Sequence, residues 1–225
     1  MDKWDACAET IKEEYTQSEY TASEFREFDN DGTPLFAKSK ETAGVQPTNL
    51  VENKKMREWA KEAFGLEKDE SSRLENYVTG MLCYRLNMKM TKGNTLTYGE
   101  KEIAQSIRNA FLKFPAYSGR TYRNIQFHSE AEYSDFLFEY SVGNTVTWNG
   151  FTSTSKRPNG YPLFGNYVIH MVVDGVSGRD IADTYGIPRQ QEVTYLPGAK
   201  VRVAKITTAN DGCPLIYLEE VRRDD

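Results

Sequence analysis

Arg189-Gln190-Gln191-Glu192-Val193-Thr194-Tyr195-Leu196-Pro197 is the stretch on which the reading of this chain turns. Gly186 and Pro188 break the chain just before it. Thr194 and Tyr195 favour extended backbone, and Pro197-Gly198 closes the run. The stretch therefore reads as a turn feeding a short strand. Taken alone, Glu192 is either a solvated surface carboxylate or one held rigidly at a strand edge and facing a cleft. Two upstream stretches bear on that choice: Thr121-Tyr122-Arg123 and Phe151-Thr152-Ser153-Thr154-Ser155. Each combines β-favouring residues with hydroxyl or guanidinium groups.

The chain has 225 residues, enough for one large domain, or a core domain with an appended arm, around a sizeable core. No apolar run is long enough to span a membrane, and Met1-Asp2-Lys3-Trp4-Asp5 lacks the basic-then-apolar pattern of a signal peptide. The expected setting is a cytoplasm, that of a host cell after delivery. The three cysteines, Cys7, Cys83 and Cys213, show neither a CxxC pair nor metal-ligand spacing, so reduced thiols and no metal are expected. His128 and His170 are isolated, which argues against a zinc site or a His-based triad. The net charge of −5 is uneven: residues 1–30 carry nine acidic and three basic side chains, a net of −6, and the remainder sums to +1. An acidic arm repels phosphate backbones and counts against a nucleic-acid partner.

In chain order, Trp4, Ala8, Ile11 and Tyr15 recur at helical spacing, so an amphipathic helix is expected from residue 3 to about 16. Residues 29–50 read as a long connection. Met56, Trp59, Ala60, Ala63 and Phe64 mark a second helix. Leu74, Tyr77, Val78, Met81, Leu82 and Leu86 mark a third, with Ser71 and Ser72 suited to its cap, and Ile103, Ile107, Phe111 and Phe114 mark a fourth. After Pro115 the period changes. Residues 120–127 read as a strand and 131–140 as a helix. Short β-rich runs follow at 145–153, 167–173, 179–183, 192–196, 199–207 and 215–221. Helices first and strands later indicate an α+β fold, with an N-terminal helical lobe packed on a C-terminal β core. Residues 1–50 are expected to be an acidic helix and connection, and 51–225 the main domain. Neither a P-loop nor a GxGxxG fingerprint is present.

The combination of Tyr122-Arg123 on a first strand, Ser153-Thr154-Ser155 on a second and Gln190-x-Glu192 entering a later one resembles the mono-ADP-ribosyltransferases of the Arg–Ser–Glu class. That class contains the clostridial Rho-modifying exoenzymes and the actin-modifying binary toxins. Tyr77-Val78-Thr79-Gly80 followed by Asn87 is similar to the class's helix motif, and Phe164 falls where the class places an aromatic near nicotinamide. The resemblance spans roughly residues 55 to 220. It implies a two-sheet β core, NAD as substrate, a protein side chain on a host or target protein as acceptor, no membrane partner, and a monomer. Asn124 stands where the class often has glycine, and the run from Glu192 to Pro197 is one residue longer than usual.

The resemblance also implies roles. Breaking the ribose–nicotinamide bond passes through an oxocarbenium-like state, as in glycoside hydrolysis. Glu192 would hold the ribose hydroxyl and stabilise the developing charge. Nicotinamide leaves neutral, so one carboxylate suffices. Arg123 would grip the pyrophosphate with its planar fork, which lysine lacks. Ser153 would orient Glu192. Gln190, lying where arginine-modifying relatives carry glutamate, would select an acceptor other than arginine. Asn124, Phe164, Tyr84, Asn87 and Arg157 are the further nucleotide-binding candidates. Three alternatives remain open: hydrolysis of NAD, modification of a nucleic-acid base, and an inactive binding relative.

Overall fold

The computed structural model describes residues 50–79, 82–158, 166–186 and 190–221. The expected helix at 3–16, the connection at 29–50 and Phe164 lie outside them. Among the described residues four helices come first: α1 (Leu50–Ala63), α2 (Lys68–Thr79), α3 (Leu82–Thr91) and α4 (Tyr98–Leu112). Strand β1 (Ala116–Gln126) and helix α5 (Glu130–Glu139) follow. After them come β2 (Thr145–Trp148), β3 (Thr152–Ser155), β4 (Val168–Asp180), β5 (Glu192–Tyr195), β6 (Ala199–Thr208) and β7 (Pro214–Glu220). The α+β order read from the sequence holds. No helix among the described residues is long and apolar enough to cross a membrane.

Three details differ from the sequence reading. The single helix expected over Leu74 to Leu86 is two, α2 and α3, with Gly80, a poor helix former, between them in the sequence. Ser71 does not cap α2. The Glu70 carboxylate accepts the Glu67 N–H at 2.8 Å, and Ser71 Oγ instead meets Tyr185 Oη at 2.5 Å. The run at 167–173 and the start of that at 179–183 are one long strand, β4, which ends at Asp180, because Gly175 and Gly178 continue the ladder instead of breaking it; 182–183 lie in a turn.

All seven strands join in one network. β1, β4, β7, β6 and β2 lie side by side, with β4 and β7 parallel and the other pairs antiparallel. β3 and β5 pair with each other and join β1 at Tyr122↔Ser155 and β4 at Arg179↔Thr194 and Asp180↔Val193. Where the resemblance implied two sheets, the pairings join all seven strands in one, with a closed circuit β1-β3-β5-β4 and back to β1.

Two cores support it. One lies among the helices and includes Leu74, Tyr77, Ile107, Phe111, Phe114, Phe151, Ile181 and Tyr185. The other packs Ile169, Met171 and Val173 of β4 with Val193 and Tyr195 of β5, Ile216 and Leu218 of β7, and the inner side of α5. Seating β5 requires the β4 glycines. A Cβ at Gly175 would stand 2.2 Å from Tyr195 Oη, and one at Gly178 would stand 2.5 Å from Val193 Cγ1. The helical lobe is fixed to β3 through Asn87. Its Oδ1 accepts the Phe151 N–H at 3.0 Å, and its Nδ2 donates to Phe151 O at 3.0 Å and to Tyr77 Oη at 2.8 Å.

Candidate active site

The alternation of a strand explains how β3 and β5 assemble one functional face. The register pairs Ser153 with Thr194 and Ser155 with Glu192. Ser153, Ser155, Glu192 and Thr194 therefore share a face, while Thr154 and Val193 take the other. Each hydroxyl has a separate task. The Ser153 side chain hydrogen-bonds the Glu192 carboxylate. Thr194 Oγ1 donates to Glu192 Oε1 at 3.0 Å. Ser155 Oγ donates to Gln190 O at 2.6 Å and accepts the Arg157 N–H at 3.0 Å.

That last pair sets the turn before the carboxylate. The Lys156 N–H donates to Gln191 O at 2.9 Å. Gln191 adopts φ +47°, the left-handed region, which a side-chain-bearing residue enters only when its surroundings hold it there. Gln190 is thereby held through its backbone oxygen on the turn two residues before Glu192. Lys156 is itself paired with Asp180 at 3.0 Å, across the end of β4.

Arg123 comes to this face from β1. Its Nη1 donates to Ser153 O at 2.5 Å, and its charge acts on the Glu192 carboxyl. The structure thus brings Arg123, Ser153 and Glu192 together from three strands, with Gln190 on the adjoining turn. Glu192 is only 7 % exposed. Burial pushes its carboxyl above the ordinary 4.5, opposed by the hydrogen bonds from Ser153 and Thr194 and by the Arg123 charge. A buried carboxylate with fixed donors on one side and a cation nearby is preorganised to stabilise positive charge developing on a ligand.

The other candidates fall in several places. Asn87 uses its amide to hold Phe151 and Tyr77. The Asn124 side chain meets His170 on the sheet face opposite Arg123, so its backbone is what remains for a nucleotide. Arg157 follows β3 directly, half-buried beside Ser155. Tyr84 lies on α3, with its side chain outside the described residues, as is Phe164. Sequence reasoning missed Thr194. The available signal was its place two residues after Glu192 on a strand, which puts both side chains on one face.

No family model matches the chain. Over 154 residues it is 27 % identical to the NAD(+)–protein-arginine ADP-ribosyltransferase Tre1 of Serratia proteamaculans (strain 568), a match covering 68 % of this chain and 32 % of Tre1. The chain thus spans about a third of the length of that curated relative. Among solved structures it resembles exoenzyme S from Pseudomonas aeruginosa, crystallised with human 14-3-3 protein beta and carba-NAD. That match has a TM-score of 0.59 and 22 % identity, covering 76 % of this chain and 82 % of that one. HopU1 of Pseudomonas syringae pv. Tomato DC3000 matches with a TM-score of 0.60 and 15 % identity, over 77 % and 86 % of the two chains. The Clostridium limosum C3 exoenzyme matches with a TM-score of 0.56 and 18 % identity, over 80 % and 98 %.

Proposed function

We propose, for a chain with the fold of the ADP-ribosyltransferase toxins, that it cleaves nicotinamide from NAD and transfers the ADP-ribose to a protein side chain. The observation that carries this reading is the convergence of Arg123, Ser153 and Glu192, with Arg123 Nη1 on Ser153 O at 2.5 Å and the Ser153 hydroxyl on Glu192. Residues 51–225 are the catalytic unit in this reading, and the acidic residues 1–50 are an appended arm. Its place of action is the cytoplasm of a target cell.

Each side chain then has a defined task. Glu192 accepts a hydrogen bond from a ribose hydroxyl and stabilises the positive charge that develops at the anomeric carbon as the bond to nicotinamide breaks. The bonding electrons leave with nicotinamide, which becomes neutral, so no proton need be delivered. Ser153 and Thr194 fix the carboxylate's orientation. Arg123 presents two N–H groups to a pyrophosphate oxygen pair. Phe164, Tyr84, Arg157 and the Asn124 backbone complete the nucleotide contacts. Asn87 acts on them indirectly, by fixing α3 to β3. The acceptor's nucleophilic atom attacks the opened anomeric carbon and loses its proton.

Gln190 points to the acceptor. Its amide donates and accepts hydrogen bonds but cannot form an ion pair with a guanidinium. An amide or hydroxyl acceptor (asparagine, glutamine, serine or threonine) suits it better than arginine. A second reading is arginine, favoured by the sequence similarity to Tre1, whose name specifies a protein-arginine activity. Labelled NAD, incubated with the enzyme and either target-cell lysate, purified nucleic acid or agmatine, separates the readings. Mass spectrometry that preserves the linkage should place ADP-ribose on amide or hydroxyl side chains, with agmatine labelled only after Gln190→Glu. Efficient agmatine labelling by the unmodified chain supports the arginine reading. Label in the nucleic acid, or release of free ADP-ribose alone, contradicts protein transfer.

A further inference from the structure

On the face of β1 and β4 turned away from Arg123, three side chains meet that the proposed reaction does not use. His170 lies on β4, its side chain only 3 % exposed. Asp211 and Cys213 belong to the turn joining β6 to β7, where Gly212 takes φ +89°. His170 Nε2 stands 2.7 Å from Asp211 Oδ2, and Asp211 Oδ1 accepts the Cys213 N–H at 2.9 Å. One ligating atom from each of His170, Asp211 and Cys213 lies within 4.8 Å of the other two.

We propose that His170 Nε2, an Asp211 carboxylate oxygen and Cys213 Sγ form a site for one Zn²⁺ ion, with water in the fourth position. The donor set selects the ion. One imidazole nitrogen, one carboxylate oxygen and one sulfur suit tetrahedral zinc, whereas Mg²⁺ and Ca²⁺ need shells of oxygen. The size also fits. Zinc bonds of about 2.0–2.3 Å place tetrahedral donors roughly 3.4–3.6 Å apart. Asp211 sits on a turn, and a small rotation of its side chain opens the 2.7 Å contact with His170 to that spacing.

The neighbouring groups are arranged as a metal's outer shell is. Asn124 Oδ1 lies 2.8 Å from His170 Nδ1, so with the proton on Nδ1 the Asn124 side chain would orient the ring and present Nε2 to the ion. As the zinc–sulfur bond forms, the Cys213 thiol proton leaves to solvent. His170 lies 41 residues before Asp211 in the chain, and Cys213 two residues after it. That separation is why no metal spacing was visible in the sequence. A bound ion would tie the β6–β7 turn to β4.

The test uses the full chain in a Cys7→Ser/Cys83→Ser background, stripped with chelator. Titration with Zn²⁺ should show one equivalent bound, with a rise in thermal midpoint. Co²⁺ in its place should give a sulfur-to-cobalt charge-transfer band. Cys213→Ser, a conservative change at a partly exposed turn, should abolish the band and weaken zinc binding by about tenfold or more. Asp211→Asn should also weaken it. Circular dichroism of both variants should match that of the parent. Failure of the parent to bind zinc, or binding unchanged in both variants, overturns the proposal. Because the readout is metal content and spectrum, it stands or falls separately from NAD chemistry.

Discussion

Thr194→Val is the sharpest probe of how the site holds its carboxylate. Valine keeps the shape and removes one donor. Thr194 is fully buried and Glu192 is 7 % exposed, so water cannot readily replace the lost 3.0 Å hydrogen bond. A hydrogen bond to a charged group is worth about 1.5–3 kcal/mol, which corresponds to roughly 10- to 150-fold in an equilibrium or a rate. The loss falls on the ionised form of Glu192, the form that in the proposed reaction stabilises the oxocarbenium-like state. Burial already raises this carboxyl above its ordinary value, and removing Thr194's donor raises it further. The sign follows directly. Ionisation is completed only at higher pH, so the acid limb of kcat/KM for nicotinamide release moves upward. Below the limb, activity should drop by the full factor, whereas on the alkaline plateau most of it should return. The assay is nicotinamide release against pH for both proteins, with NAD affinity by calorimetry as a control. A profile that coincides with that of the unmodified chain, or an equal loss at every pH, refutes the positioning argument.

Other outcomes follow from the same geometry. Gly175→Ala drives a Cβ to 2.2 Å from Tyr195 Oη; overpacking of this kind costs about 1–3 kcal/mol. That should lower the thermal midpoint by roughly 2–12 °C in a chain of this size, with partial rescue by Tyr195→Phe. An unchanged midpoint would show that β5 is not seated on the β4 glycines. Arg123→Lys keeps the charge but loses the planar fork, and calorimetry should show weaker NAD binding in a protein whose unfolding is cooperative. Glu192→Gln should change the pH dependence of stability. A glutamate whose folded-state pKa is raised loses stability as pH climbs from its ordinary 4.5 through the raised value. Chemical denaturation should therefore show the glutamine variant gaining on the unmodified chain as pH rises through that window, and a constant difference contradicts the burial effect.

The class of fold was legible because period and punctuation change at Pro115, from helical stripes to short β runs. The site was legible to the extent that its groups sit on motifs with fixed local spacing. Ser153, Ser155, Glu192 and Gln190 all depend on strand alternation and one tight turn. What the sequence hid depends on register between distant strands. Ser153 faces Thr194, and Ser155 faces Glu192, only because β3 and β5 pair antiparallel in that register. The separation of Asn124 from Arg123 is simple alternation along β1. Its partner His170, however, is set by the β1–β4 ladder. Asn87 reads as a nucleotide-site residue from its motif, yet Phe151, 64 residues away, takes its amide on both sides. The unbroken β4 was obscured for a related reason. Its glycines read as breaks, but they serve contacts made by β5.

The central claim is that Glu192 acts on the transition state for nicotinamide loss, held by Ser153 and Thr194 and faced by Arg123. The most direct measurement compares the purified chain with Glu192→Gln at saturating NAD and acceptor lysate, following nicotinamide by chromatography and NAD affinity by calorimetry. The glutamine variant is expected to bind NAD with near-normal affinity while turnover falls by about a hundredfold or more. Turnover near that of the unmodified chain, in a folded Glu192→Gln protein that binds NAD, would contradict the account.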